Sequence, residues 1–187
     1  MNPQGVRVAS FKAPTAEELA HDFLWRIHQE TPRKGMIGVF NRSHYEDVLI
    51  VRVKNLAPKK IWSERYDLIN AFEKSLIDAG TKIIKIYLHI DKDEQKQRLQ
   101  ERLDNPEKNW KFNPGDLPER ENWKAYMEAF KEVFERCWGS EAPWYVIPAN
   151  NKWYRDVVVA QIILETMQGM KLTYPKADYD PSTVKIV

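Results

Sequence analysis

The chain has 187 residues, 43% of them hydrophobic and 30% charged, which is typical of a globular domain with a sizeable core. The formal net charge of +2 and the lack of any apolar run near the roughly 18–20 residues of a membrane span argue against a nucleic acid or a membrane as partner. Cys137 is the only cysteine, which excludes an internal disulfide and a thiolate metal cluster. With no signal-peptide pattern at the amino terminus, these features predict a cytoplasmic protein.

Strand and helix patterns alternate along the chain. Four apolar runs bounded by polar or turn-forming residues predict strands at about residues 6–11, 36–40, 82–90 and 144–148. Segments with apolar residues every three or four positions predict helices over about 15–29, from 58 to a glycine cap at Gly80, over 91–104, from 116 onward, and over 151–168. This alternation favours a parallel sheet with helices on both faces, followed by an irregular tail over 173–187.

Polar side chains follow the strand at 36–40 immediately, which in an open α/β sheet is where ligands bind. Arg42 offers five donors in a fork suited to phosphate oxygens. Glu46 and Asp47 are able to hold a metal or to accept a hydrogen bond from a sugar or base. The alternative is a capped turn, in which Asn41 and Ser43 satisfy the start of a helix. The spacing alone leaves both interpretations open.

A basic segment follows the third predicted strand and contains Arg98, Arg102, Lys108 and Lys111. Arg98 and Arg102 are four residues apart, so they share one helix face. A helix of this kind, ahead of a proline-ended loop, is suited to close over a polyanion as a lid. The alternative, which this segment taken alone favours, is a solvated basic face that Glu101 and Glu107 partly neutralise.

Further basic residues lie at the ends of other predicted elements. Lys152 and Arg155 stand at the start of the last helix, where free N–H groups and the helix dipole already attract anions. Packing by neighbouring aromatic residues is an equal alternative for that segment. Lys12 follows the first strand, at the sheet edge where ligands bind. Convergent Arg and Lys side chains with few catalytic carboxylates suit phosphoryl transfer, which depends mostly on positioning and charge neutralisation.

Several segments closely resemble, in order, the family-2 polyphosphate kinases: Ser-Phe-Lys-Ala-Pro-Thr-Ala-Glu-Glu, Phe-Asn-Arg-Ser-His-Tyr-Glu-Asp, Asp-Asn-Pro-Glu-Lys-Asn-Trp-Lys-Phe, Ala-Pro-Trp-Tyr-Val-Ile-Pro-Ala and Lys-Trp-Tyr-Arg. The resemblance runs over about residues 2–169. It implies a partial P-loop-kinase-like α/β domain over residues 1–172, with a parallel sheet flanked by helices and a helical lid over about 91–120. It also implies transfer of phosphoryl groups between inorganic polyphosphate and a nucleoside mono- or diphosphate, with Mg²⁺.

The resemblance also implies roles for single residues. Asn41 and Arg42 fall in the second nucleotide-triphosphatase motif, and Asp47 lies at the metal, so these three are the catalytic candidates and Asp47 is the metal ligand. The substrate-binding candidates are Lys12, Glu46, Arg98, Arg102, Lys108, Lys111, Lys152 and Arg155. Many relatives carry aspartate where this chain has Asn41, and an amide is a poorer magnesium ligand than a carboxylate. The asparagine form resembles the branch that accepts monophosphates as well as diphosphates, which here means AMP and ADP or GMP and GDP.

One part of the family pattern, the Gly-x-x-x-x-Gly-Lys phosphate loop, does not occur in these 187 residues. In the family that loop follows a central strand, and a sheet without this strand keeps two unpaired inner edges. Three arrangements would resolve this. A second chain supplies the strand and the loop, two copies of the chain pair or exchange strands in a homo-oligomer, or the sheet closes up without the missing strand. The third case corresponds to the alternative function, a non-catalytic polyanion-binding or assembly protein. A nucleotide kinase of the same superfamily that uses ATP is a weaker alternative, and independent activity of the chain stays open.

Overall fold

A computed structural model describes residues 2–185 of the chain. The strands are β1 (Val6–Ser10), β2 (Ile37–Asn41), β3 (Lys85–His89) and β4 (Trp144–Pro148). The α-helices are α1 (Ala16–Leu19), α2 (Trp25–Glu30), α3 (Ile50–Val53), α4 (Lys59–Asp78), α5 (Lys92–Asp104), α6 (Asp116–Glu121), α7 (Trp123–Arg136) and α8 (Lys152–Gly169). Short 3₁₀ turns lie at Pro3–Gly5, His44–Asp47, Pro106–Lys111 and Pro181–Thr183. None of the described helices has the length and apolar content needed to cross a membrane.

The strands confirm the expected α/β class and form two small sheets. β1 and β2 pair in parallel, with Val6 opposite Ile37 and Ser10 opposite Asn41. β3 pairs with β4, and within residues 2–185 no ladder joins β2 to β3. Two separate pairs agree with the expectation of unpaired inner edges, and a closed-up sheet is not formed within residues 2–185.

The chain divides into two compact units. The first comprises Met1–Ile86 and Asp91–Tyr145, and the second comprises Tyr87–Ile90 and Val146–Val187. In the first unit, the amphipathic helix α4 buries the side chains that recur at its three- to four-residue spacing: Trp62, Tyr66, Ile69 and Phe72. Gly80, at φ +94°, follows its carboxyl end, a conformation that glycine adopts without strain.

The second unit contains the long helix α8 and the chain's carboxyl-terminal segment. Asn151 caps α8 through its side chain, which accepts a hydrogen bond from the Tyr154 N–H at 3.4 Å. The Ala149 N–H donates to the His89 carbonyl oxygen at 2.7 Å. After α8, the described residues carry only the Pro181–Thr183 turn, and residues 186 and 187 of the predicted tail lie outside the described part.

Two predicted helices are interrupted, and polar side chains explain both breaks. The helix expected over 15–29 is divided into α1 and α2, because the Asp22 carboxylate accepts a hydrogen bond from the Leu24 N–H at 2.9 Å. The helix expected from 116 ends as α6 and restarts as α7 after Asn122, whose side chain donates to the Pro118 carbonyl oxygen at 3.3 Å. Side-chain bonds of this kind compete with the regular helix ladder.

Candidate functional site

The segment after β2 folds into a tight turn that presents charged side chains. Arg42 has a φ of +61°, a left-handed conformation that is uncommon for a residue other than glycine. The Ser43 hydroxyl then accepts a hydrogen bond from the Tyr45 N–H at 3.3 Å and starts the His44–Asp47 turn. The capped-turn interpretation therefore describes the backbone correctly, with Ser43 as the cap. The same turn places Arg42 close enough to Glu46 to influence its ionisation.

Glu46 and Asp47 are carboxylates held largely away from water. Burial raises the pKa of Glu46, and the positive charge of Arg42 partly opposes this rise. Burial also raises the pKa of Asp47, opposed chiefly by Arg65. The Arg65 Nη1 atom lies 2.8 Å from Asp47 Oδ1 and 3.2 Å from the Asp47 carbonyl oxygen. Two adjacent, partly desolvated carboxylates are a place where an additional cation is stabilising.

Arg26 and Arg65 also belong to this site, although no sequence pattern indicated them. Arg26 is only 8% exposed, donates to the Lys12 carbonyl oxygen at 2.9 Å, and lies 5.4 Å from the centre of the Phe11 ring. Its positive charge opposes the rise that burial causes in the pKa values of both Glu46 and Asp47. An arginine within a predicted amphipathic helix gives no sequence signal that separates it from a surface arginine, so only the tertiary structure identifies these two.

Tyr126 and Glu119 are two further members that the sequence did not indicate. The Tyr126 hydroxyl donates to Glu119 Oε2 at 3.0 Å. The pKa of Tyr126 is raised by burial first, then by Glu119, and also by the negative charge of Glu46. Tyr126 therefore lies within electrostatic range of the Glu46 carboxylate and stays a neutral hydroxyl.

A buried polar network supports the His44–Asp47 turn from the side of the core. Glu73 Oε2 lies 2.7 Å from Lys85 Nζ, and Glu73 Oε1 accepts a hydrogen bond from the Tyr45 hydroxyl at 2.8 Å. His44 Nε2 is 3.3 Å from the same Oε1 atom. Lys85 also donates to the Tyr45 hydroxyl at 3.1 Å and to the Cys137 carbonyl oxygen at 2.8 Å. These contacts tie two consecutive residues of the turn to α4 and β3.

The ionisation of this network is fixed by the contacts. Glu73 and Lys85 are 4% and 6% exposed. Burial alone would raise the pKa of Glu73, but the hydrogen bond from His44 and the charge of Lys85 outweigh it and lower the pKa. Glu73 is therefore a carboxylate and accepts from both His44 and Tyr45. His44 Nδ1 is buried and has no hydrogen-bond partner within the described residues.

The predicted lid cations do not stand free; three of them pair with carboxylates of the same segment. Arg98 Nε lies 2.7 Å from Glu94 Oε1, Arg102 Nη1 lies 3.5 Å from Asp116 Oδ2, and Lys108 contacts Glu101. Lys111 Nζ lies 5.0 Å from the centre of the Trp110 ring, which is 79% exposed. Glu101 therefore neutralises part of this segment as expected, whereas Glu107 makes no side-chain ion pair within residues 2–185.

The remaining predicted binding residues lie in both units. Lys12 is exposed and belongs to the first unit. Lys152 and Arg155 belong to the second, where Arg155 pairs with Asp156 at 2.7 Å and Trp153 is 67% exposed. Convergence of these cations with Asn41 and Arg42 on one sheet edge stays a prediction.

Residues 2–185 contain no cluster of three or more His, Cys, Asp or Glu side chains able to hold a metal ion by themselves. Glu46 and Asp47 supply two carboxylates. A divalent cation of the Mg²⁺ type is commonly held by one or two carboxylates, with water and substrate phosphates completing its shell. The pair therefore suits a cation that arrives with a phosphate substrate, and it does not suit a permanently caged metal.

The sequence profile of Polyphosphate kinase 2 (PPK2) matches residues 1–175. The chain belongs to the polyphosphate kinase 2 family. It is 57% identical over 178 residues to an AMP/ADP-polyphosphate phosphotransferase of Meiothermus ruber, a match that covers 95% of this chain and 67% of that protein. It is 46% identical over 188 residues to an ADP-polyphosphate phosphotransferase of Rhodopseudomonas palustris, covering 94% of this chain and 65% of the relative. The family resemblance that the sequence segments indicated is thereby confirmed.

Solved structures of the polyphosphate kinase 2 family have the same fold as this chain. The crystal structure of Polyphosphate Kinase 2 from Arthrobacter aurescens matches with a TM-score of 0.95 and 52% identity, over 97% of this chain and 64% of that one. A structure of a polyphosphate kinase 2 homologue from Pseudomonas aeruginosa matches with a TM-score of 0.88 and 31% identity, over 93% and 38% of the two chains. The chain thus spans about two thirds of the length of its curated relatives, 67% and 65% of the two named above.

Proposed function

We propose that this polypeptide takes part in phosphoryl transfer between inorganic polyphosphate and a nucleoside mono- or diphosphate. The observation that carries the proposal is the turn after β2, in which Arg42 lies beside the partly desolvated carboxylates Glu46 and Asp47. The relatives are named as phosphotransferases that use polyphosphate with AMP or ADP, and we extend these substrates to this chain. GMP and GDP are the nucleotides to compare with them. No observation favours a non-catalytic polyanion-binding role.

The residues of the turn have complementary roles in this proposal. Arg42 binds phosphate oxygens through its guanidinium fork, and Asn41 orients the phosphate by hydrogen bonding. Glu46 and Asp47 hold Mg²⁺, which neutralises negative charge on phosphate oxygens when it is bound. Arg65 keeps the Asp47 carboxylate in one orientation through its two contacts. Phosphoryl transfer depends mostly on such positioning and on electrostatic stabilisation.

The other cations bind the substrates in this account. Arg98, Arg102, Lys108 and Lys111 line the path of polyphosphate in the lid, and Lys12, Lys152 and Arg155 bind further phosphates of polyphosphate or nucleotide. The phosphate loop of a P-loop kinase is not among the 187 residues. We therefore propose that transfer requires a polypeptide segment that carries such a loop; a second chain is able to supply it, and pairing of two copies of this chain would cover the unpaired sheet edges. The single cysteine, Cys137, is consistent with a cytoplasmic location.

The test is an assay of the purified chain with polyphosphate, Mg²⁺ and AMP, ADP, GMP or GDP in turn. Each reaction is run alone and with the part of the Meiothermus ruber relative that lies outside the match added. We expect ADP or ATP to form from AMP or ADP, and we expect Arg42→Gln to abolish this while the exposed Arg33→Gln does not. Absence of transfer in every combination would contradict the proposal. Replacing polyphosphate by ATP as donor distinguishes a polyphosphate kinase from an ATP-dependent nucleotide kinase.

A further inference from the structure

The lid segment has an unexpected charge for a surface that binds polyphosphate. Residues 91–120 contain seven basic and eight acidic side chains, a net charge of −1. A polyanion site normally carries an excess of positive charge. Either the cations lie on a face that the carboxylates do not share, or the two signs are paired in space.

The structure shows pairing. Arg102 contacts Asp116 at 3.5 Å, with side chains that are 37% and 41% exposed, and Lys108 contacts Glu101, with side chains 36% and 50% exposed. These carboxylates come from elements beyond the partner's own helical turn: Glu101 is seven residues before Lys108, and Asp116 is fourteen residues after Arg102. The Pro106–Lys111 turn folds back onto α5 and brings Lys108 to Glu101, while Asp116, the first residue of α6, reaches Arg102. The Asn109 side chain stabilises this arrangement by donating to the Arg102 and Leu103 carbonyl oxygens at 2.7 and 2.9 Å.

In both pairs the cation is able to exchange its carboxylate partner for a phosphate. Ion pairs between partly exposed side chains are weak, and salt screens them. A phosphate chain brings several anions at once, so it replaces both carboxylates in a single binding event. The pair of Arg98 with Glu94 is less exposed, at 22% and 21%, and is the more persistent of the three.

We propose that Glu101 and Asp116 are specificity-determining residues of the lid: internal counter-ions that occupy Lys108 and Arg102 until polyphosphate displaces them. The inference rests on the proposed polyphosphate function, which it deepens. The two carboxylates weaken the binding of every anion, so that only a ligand with many closely spaced charges occupies the lid. They also reduce its dependence on salt, because each displaced carboxylate takes up a cation from solution when a phosphate takes its place.

The chain offers a control that is matched in charge. Asp93 and Glu107 lie in the same segment, are exposed, and make no side-chain ion pair within the described residues. Asp93→Asn with Glu107→Gln therefore removes two negative charges, as Glu101→Gln with Asp116→Asn does, but it breaks no ion pair. All four side chains are partly or fully exposed, so both double variants keep the fold, which thermal unfolding verifies.

The experiment measures the affinity of the whole chain for inorganic polyphosphate of defined length by titration calorimetry over a series of KCl concentrations. From the strength of exposed ion pairs we expect E101Q/D116N to bind roughly two- to fivefold more tightly for each pair, or about four- to twenty-fivefold in total, at the lowest salt. The slope of log affinity against log salt becomes steeper by about 0.7 for each freed cation. The D93N/E107Q control changes affinity by less than about twofold, since screening limits unpaired charges.

A second measurement tests the coupling directly. Asp116→Asn tightens binding in the wild-type background, and we expect no effect of the same change when Arg102→Gln has already removed its partner. If the wild-type chain binds polyphosphate and E101Q/D116N is no tighter than D93N/E107Q, the counter-ion inference is wrong while the proposed function stands. If none of the proteins binds polyphosphate at the lowest salt, the counter-ion inference is wrong, and the transfer assay with the loop-bearing segment decides the proposed function separately.

Discussion

Arg65 holds Asp47 at two points, with Nη1 2.8 Å from the carboxylate Oδ1 and 3.2 Å from the backbone carbonyl oxygen of the same residue. Its guanidinium also lies 4.9 Å from the centre of the Phe23 ring. The side chain is thereby fixed between α4 and the segment that precedes α2. A carboxylate oriented in this way, in a site short of water, is pre-organised for a cation.

Replacing Arg65 by glutamine should raise the pKa of Asp47 further. Burial already raises this pKa, and Arg65 is the largest opposing influence. Titration of the Asp47 carboxyl carbon by NMR measures the change directly. Arg33→Gln, at an exposed position, is the control and should leave the Asp47 titration unaltered. An unchanged or lower Asp47 pKa in R65Q would show that the contact does not act on the carboxylate.

Lys85→Met should destabilise the protein far more than Lys74→Met. Lys85 is buried against Glu73, and removing one partner of a buried ion pair strands the other charge, at a cost of about 3–5 kcal/mol. The Lys74–Asp78 pair is exposed, at 66% and 60%, and water replaces its loss. Urea unfolding of the two variants compares them. Equal destabilisation would mean that the buried pair does not support the turn.

Glu46→Gln should stabilise the protein at neutral pH, and the gain should disappear in acid. The folded-state pKa of Glu46 is raised, so the folded state binds its proton more tightly, and stability falls as pH rises through that window. A glutamine never ionises and keeps the stability that the wild type loses. Below the ordinary glutamate pKa both forms are neutral and the difference vanishes.

The measurement for this prediction is the free energy of unfolding as a function of pH. Glu73→Gln provides a comparison of opposite sign. Because the pKa of Glu73 is lowered, its contribution is present above the ordinary glutamate pKa and is lost as pH falls through the folded value. Glu107→Gln, at an exposed position, is the control. The desolvation account would be refuted if the stability of Glu46→Gln, measured relative to wild type, were lower at pH 7 than in acid.

At position 42, glycine should be more stable than alanine. Arg42 has a φ of +61°, and this left-handed conformation strains every residue with a Cβ by about 1–2 kcal/mol. Arg42→Gly should therefore exceed Arg42→Ala in stability by about 1 kcal/mol. Lys96, in the exposed middle of α5, provides the comparison. There Lys96→Gly should be less stable than Lys96→Ala by about 1 kcal/mol. Thermal unfolding of the four variants measures these differences. If alanine were more stable than glycine at both positions, strain at Arg42 would be excluded.

The fold was predictable where a local pattern is sufficient. The strand over residues 144–148 has the predicted bounds, because a run of aromatic and β-branched residues begins directly after Pro143 and ends at Pro148. The stripe on α4 is buried as its spacing predicts. The interruption at Asp22 was harder to predict. The helical spacing of apolar residues continues through this position, so nothing in the pattern shows that the Asp22 side chain takes the Leu24 N–H from the helix.

The site was predictable in part. The change from an apolar strand to polar residues located the turn, because the strand and the turn are adjacent in the sequence. These polar residues are Asn41, Arg42, Glu46 and Asp47. Arg65 was missed, because its contact with Asp47 joins residues 18 positions apart in a turn and a helix. For Lys85 a signal existed: a lysine inside the apolar run 82–90 requires a buried counter-charge. Nothing in the sequence identified Glu73 as that partner.

The most direct test of the central claim is ³¹P NMR of the chain with polyphosphate, ADP and Mg²⁺, in the presence of the part of the Meiothermus ruber relative that lies outside the match. The account predicts that the γ-phosphate resonance of ATP grows as the polyphosphate chain shortens by the same amount of phosphate, and that Arg42→Gln stops both changes together while Arg33→Gln does not. ATP formation without loss of polyphosphate, or equal rates for the two variants, would contradict it.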